Sequence, residues 1–132
     1  MTKDELSQLQ ALRMEILDLK KKRADIETRG IPIPVLDGLP HGTGIGDPTG
    51  RAGAELASYG IRIDNAMERY LYQLMQIEIF IEECDDSKTR LIMRHRYIDG
   101  MTLQEVAFAV GEQDKQYVWW KLKSYLDRMG IK

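Results

Sequence analysis

Cysteine occurs once in the 132 residues, at Cys84, so the chain can close no disulfide on itself and build no cysteine metal cluster. A lone thiol of this kind reads as buried packing, and the reducing cytoplasm is the expected compartment. Histidine is nearly as scarce: His41 and His95 are the only two, and neither belongs to a His-x-x-x-His ligand set, so no metal site is expected. The serines Ser7, Ser58, Ser87 and Ser124 lack any nucleophile-elbow surroundings. Glu82, Glu83, Asp85 and Asp86 gather at a helix end and linker instead of in a definable cleft. No catalytic residue, no cofactor and no enzymatic activity are therefore expected. Long apolar runs are missing too: nothing approaches the roughly 18 residues of a membrane span, and no signal-peptide core follows Met1-Thr2-Lys3-Asp4. A membrane partner is not expected.

Proline is confined to one window, at Pro32, Pro34, Pro40 and Pro48. The same window, residues 30–53, holds seven of the eleven glycines and reads as a loop in which no regular helix can form. Its glycines do not make a nucleotide site. No Gly-Lys-Ser/Thr ends the stretch, no Gly-x-Gly-x-x-Gly occurs, and no buried strand precedes it. Ile31, Ile33, Val35 and Leu36 can lie extended against a partner.

What remains has the composition of a folded, helical chain, with 43% hydrophobic and 30% charged residues. Leu9, Leu12, Ile16, Leu19 and Ile26 alternate steps of three and four along one helix from about Lys3 to Thr28, with Arg23 interrupting the seam. Ile63, Met67, Tyr70, Leu74, Ile77, Ile81 and Cys84 repeat the pattern on a second helix from about Ala52 to Cys84. The two fold back antiparallel across the loop. Leu6, Leu17, Leu71 and Ile79 lie off these seams, which predicts burial against another copy of the chain, a homo-oligomer. The basic run Lys20-Lys21-Lys22-Arg23 is flanked by Asp18 and Asp25 and reads as a solvated helix face.

The fold class predicted is all-α: a coiled-coil body over 1–85, interrupted by the 30–53 loop, and a separate domain over 86–132. Charge divides with it. The net charge is −2, but from Ser87 onward nine Lys/Arg face five Asp/Glu, while ten face sixteen before it. A basic end on an acidic body confines nucleic-acid contact to the C-terminal third.

That third carries its own punctuation. Thr102 and Glu105 have the spacing of a capping box, and Leu103, Val106, Ala107 and Val110 follow at one buried helical stripe. Gly111 suits the left-handed exit, and Asp114 caps a last helix whose Val118, Leu122, Tyr125, Leu126 and Met129 share a face. Two short helices about a glycine turn are a helix-turn-helix pattern, in which the second enters a major groove while the first braces it. The opposite side of the last helix, Lys115 to Arg128, carries Gln116, Trp120 and Lys123, flanked by Lys115, Tyr117 and Lys121. Gln116 suits an adenine edge and Lys115 a guanine or phosphate; Lys121 and Lys123 suit phosphates, and Tyr117 and Trp120 suit thymine methyls or sugars. Thr102 and Gln104, opening the bracing helix, are placed for the DNA backbone.

The run RHRYIDGMTLQEVA, followed by a glycine and a capped basic helix, resembles region four of bacterial sigma factors. It is closer still to the sigma-like phage transcription regulators of the ArpU/RinA type, and GLPHGTGIGDPTG between two heptad-patterned helices is similar to their middle segment. The resemblance is strong from Arg90 to Leu126 and looser before that. It implies a phage- or prophage-encoded, sequence-specific transcription regulator acting on double-stranded DNA in a bacterial host, with Lys115, Gln116 and Trp120 at the base-reading positions. One departure stands out: the buried aliphatic expected six residues after the turn glycine is Tyr117 here, and Val118 comes one later. Because inward-facing Tyr117 would carry Lys121 and Ser124 into the core, Val118 is the residue expected to be buried. Two other readings use the same residues. One is an interaction module with Trp119 and Trp120 as anchors for a partner such as RNA polymerase; the other is a small terminase-like DNA-packaging subunit.

Overall fold

The computed structural model describes residues 1–29 and 48–131, and every regular element among them is helical. Helix α1 spans Lys3–Arg29, α2 Pro48–Glu82, α3 Ser87–Met93, α4 Leu103–Ala109 and α5 Lys115–Arg128, and a π-helical turn, Arg94–Ile98, follows α3 directly. The class is all-α, as expected. No helix among the described residues is long and apolar enough to cross a membrane. His41 and the extended Ile31–Leu36 segment lie outside the described residues. Helix α2 begins earlier than the sequence pattern placed it, so residues 48–53 are helical and not loop. Pro48 is its first residue, where the amide hydrogen it lacks would have had no partner inside the helix.

The chain divides into two compact units, Met14–Glu68 and Met1–Arg13 with Arg69–Lys132. The division falls inside the two long helices. In the first unit, Ile16, Ile26, Ile63 and Ala66 are buried. Lys22 pairs with Asp18 at 2.9 Å and Arg23 with Glu27 at 3.9 Å, so half of the basic run is occupied along its own helix. Met67, expected on the seam, is exposed, and Ala66 takes the buried position beside it.

In the second unit one hydrophobic core gathers Leu6 and Leu9 of α1, Ile77, Phe80 and Ile81 of α2, and the inner faces of α3, α4 and α5. Leu6 is a correction: instead of waiting for another copy of the chain, it is fully buried here. Glu5 O accepts from Gln73 Nε2 and Tyr70 Oη from Arg13, so rising numbers on α1 meet falling numbers on α2, the antiparallel pairing. A reciprocal capping box starts α1. Thr2 Oγ1 accepts from Glu5 N and Glu5 Oε2 from Thr2 N, both at 3.1 Å.

Helix α1 also closes the end of the π turn. The last carbonyls of any helix lack intrahelical donors. Here Gln10 Nε2 donates to Tyr97 O and Ile98 O at 3.0 and 3.2 Å, and Arg13 donates to Ile98 O at 2.7 Å. Gly100 lies against this clamp: its φ of +74° is in the left-handed region that favours glycine, and a Cβ there would also crowd the Gln10 side-chain amide. The N-terminal turns are thereby locked onto the segment that precedes α4.

Candidate nucleic-acid interface

Helices α4 and α5 form the predicted helix-turn-helix, and each break has a visible cause. Thr102 Oγ1 accepts from Glu105 N at 3.2 Å and caps α4. The reciprocal half of the expected capping box is replaced: Glu105 Oε1 accepts from the Thr102 hydroxyl, not from its amide. Gly111 leaves α4 at φ +81°, with Gly111 N donating to Phe108 O and Glu112 N to Ala107 O, the paired bonds of a Schellman ending. Asp114 Oδ1 then accepts from Gln116 N at 2.9 Å and starts α5. Val106 and Ala107 are fully buried, and Leu103 and Val110 pack partly against the core.

On α5 the inward face is Val118, Leu122, Tyr125 and Leu126. Val118 is 0% exposed and Tyr117 38%, so the one-residue shift after the turn resolves in favour of Val118. Met129 does not complete the stripe and is exposed. The helix ends there in a second Schellman turn through Gly130, in which Ile131 N donates to Leu126 O at 2.9 Å and Ile131 takes the buried place. Cys84 is buried, as expected, near Tyr125.

The two flanks of α5 differ in charge. Toward α3, Lys121 Nζ stands 3.1 Å from Asp86 Oδ2, and Lys88 pairs with Glu112. Both ammonium groups lie over the Tyr117 ring, Lys88 at 4.9 Å and Lys121 at 5.9 Å from its centroid. Asp86 also caps α3, accepting from the side chain and amide of Thr89. Those bonds, then Lys121, hold its carboxyl well below the usual carboxylate range. Tyr117 and Lys121 are thus engaged in an intramolecular cluster on this side.

The other flank opens on a groove between the starts of α4 and α5. Thr102, Gln104, Lys115 and Gln116 line it together with Arg96, Leu103 and Trp119. Four of the eight residues expected to touch DNA are therefore neighbours, although they come from both sides of the turn. Trp120, 64% exposed, and Lys123 occupy the outer face of α5, with Lys123 Nζ 4.9 Å over the Trp119 ring. No carboxylate lines the groove, and Arg96 and Lys115 are its cations.

Arg96 and Trp119 are lining residues that the periodicity did not single out for this surface. Arg96 belongs to the π turn and donates to Met101 O at 2.9 Å, which turns its guanidinium toward the start of α4. The run Arg94-His95-Arg96 was the available signal, but its direction depends on a π-helical register that spacing rules do not anticipate. His95 faces Asp99, Nδ1 to Oδ2 at 2.9 Å. Among the described residues no group of three or more His, Cys, Asp or Glu is placed to hold a metal ion. No protein-family model, curated protein or solved structure matches the chain.

Proposed function

We propose that the chain is a sequence-specific, sigma-like DNA-binding transcription regulator, phage or prophage encoded, with α5 as the reading helix. The observation that carries this reading is the groove shared by α4 and α5: an amide side chain suited to base edges, Gln116, stands beside Lys115 and Arg96 in a lining without acids. Duplex DNA rewards that combination, because phosphates attract the cations while a bidentate amide discriminates bases. The test is selection of bound fragments from a random duplex pool, followed by binding to the enriched and a scrambled duplex. Enrichment of one motif, bound at least tenfold more tightly than the scrambled sequence, is expected. Equal binding to both would leave a non-specific DNA-binding protein, such as a packaging subunit.

Assembly of copies is part of the same proposal, since paired readers recognise longer sites. On α2, Leu71, Tyr72, Met75 and Ile79 form one stripe, each more than half exposed. Contiguous apolar area of this kind is characteristic of protein contacts. Light scattering at micromolar concentration is expected to give a mass at least twice the 15.2 kDa of the chain. A monomer under those conditions would remove the homo-oligomer from the proposal. A separate protein partner, RNA polymerase among the candidates, is favoured by Phe108 and Trp120, exposed at 68% and 64% on the helix-turn-helix itself.

A further inference from the structure

The groove between α4 and α5 does not end at Trp119. Arg96, Leu103 and Trp119 also line a cavity of about 440 Å³, which runs on between α5, the π turn and the first turns of α1. Its floor includes Leu6, Leu122 and Leu126, and its charged lining is Lys3, Arg96 and Lys123, again with no carboxylate. We propose that the first turn of α1 is part of the DNA-binding surface, with Lys3 contacting a backbone phosphate beside the segment that α5 reads. This rests on the function proposed above and extends it to a residue far from the helix-turn-helix in sequence.

Three features of the structure argue for it. The first is electrostatic. Lys115, Arg96, Lys123 and Lys3 are distributed over two adjoining depressions, with no acidic side chain in either lining. A nucleic-acid strand presents a charge about every 3.4 Å, so a row of cations matches it better than it matches one compact anion. The second is rigidity. Gln10 and Arg13 clamp α1 to the carbonyls of the π turn, and Leu6 and Leu9 are fully buried, so the turn carrying Lys3 is held in place before any ligand arrives. The third is the disposition of the acids in the first turn of α1. Asp4 and Glu5 both lie outside the cavity lining, and Glu5 is engaged by the amide of Thr2 in the capping box.

A phosphate contact has a signature that distinguishes it from a base contact and from a structural role. Binding of wild-type and Lys3→Ala proteins is measured by fluorescence anisotropy on the enriched and the scrambled duplex, between 50 and 200 mM salt. Lys3→Ala is expected to weaken both complexes by the same factor and to flatten the log–log salt slope by about one unit, and Lys3→Arg is expected to restore both. Lys3 is exposed, so the melting temperature serves as the control and is expected not to move. Unchanged affinity and slope in Lys3→Ala overturn the proposal, and the reader itself still stands if Lys123→Ala loses a slope unit in the same assay. An effect confined to the enriched duplex overturns it as well, because a phosphate contact is blind to base identity. Failure of the wild-type protein to bind any duplex removes the function proposed above, and this inference with it.

Discussion

Val118→Asp is expected to unfold the C-terminal helices at 25 °C. Val118 is 0% exposed, and its companions in the core are aliphatic or aromatic: Ile92, Met93, Val106, Leu122 and Leu126 among them. A carboxylate there would sit among apolar side chains. The one hydroxyl in that core, Tyr125 Oη, is itself buried without a hydrogen-bond partner. Loss of the valine's burial costs about 1.5–3 kcal/mol, and an uncompensated polar group adds roughly 2–7 kcal/mol. Together these rival the ~5–15 kcal/mol that holds a small domain folded. The neighbouring substitution Tyr117→Asp is the contrast. Tyr117 is 38% exposed and outside the core, so that variant is expected to remain folded and to lose only its contacts with Lys88 and Lys121. Thermal denaturation followed by circular dichroism separates the two. A Val118→Asp protein melting cooperatively within a few degrees of wild type would mean that the inward face of α5 is set otherwise.

The second large effect concerns recognition. Gln116→Ala is expected to leave the fold unchanged, since Gln116 is exposed and contributes to the start of α5 only its amide, which donates to Asp114. It is expected to relax base choice at one position of the enriched site by about 1–3 kcal/mol, a 5- to 150-fold change in the ratio between right and wrong bases. Lys123→Ala is expected to behave differently, weakening all duplexes alike and flattening the salt slope by about one unit. The contrast decides the assignment because both residues are on the same helix and both are exposed, so a general disturbance of α5 would move both readouts in both variants. If neither variant changes affinity, base preference or salt dependence while remaining folded, α5 is not the reader. The exposed Phe108 and Trp120 then make a protein partner the better reading.

The parts of this molecule that were legible in the sequence are those decided within a turn or two of helix. Asp114 caps α5 because its carboxylate reaches an amide two residues away. Gly111 ends α4 because a positive φ is a local requirement. The stripe from Val118 to Leu126 faces inward because the alternative register would bury Lys121. Such choices depend on 3.6-residue periodicity and on hydrogen bonds of short sequence separation, so the chain alone determines them, and with them the all-α class and the helix-turn-helix. The cap at Thr2 and Glu5 was equally local and equally readable.

Only the tertiary structure decided the rest. Leu6 sits off the heptad seam by spacing, yet it is fully buried, because a third layer of helices covers the side of α1 that a two-helix coil would leave bare. The same layer receives Gln10 and Arg13, whose carbonyl partners lie more than 80 residues away in the chain. Met129 and Ile131 exchange places because a glycine turn redirects the backbone after α5, and periodicity cannot follow a chain past the end of its helix. Arg96 reaches the groove from a π turn, and Lys3 reaches the adjoining cavity from the far end of the sequence. Spacing along one helix finds the residues that share a face of that helix. A surface assembled from α1, the π turn, α4 and α5 exists only after the core has closed, because burial of apolar area acts on the whole chain without regard to sequence separation.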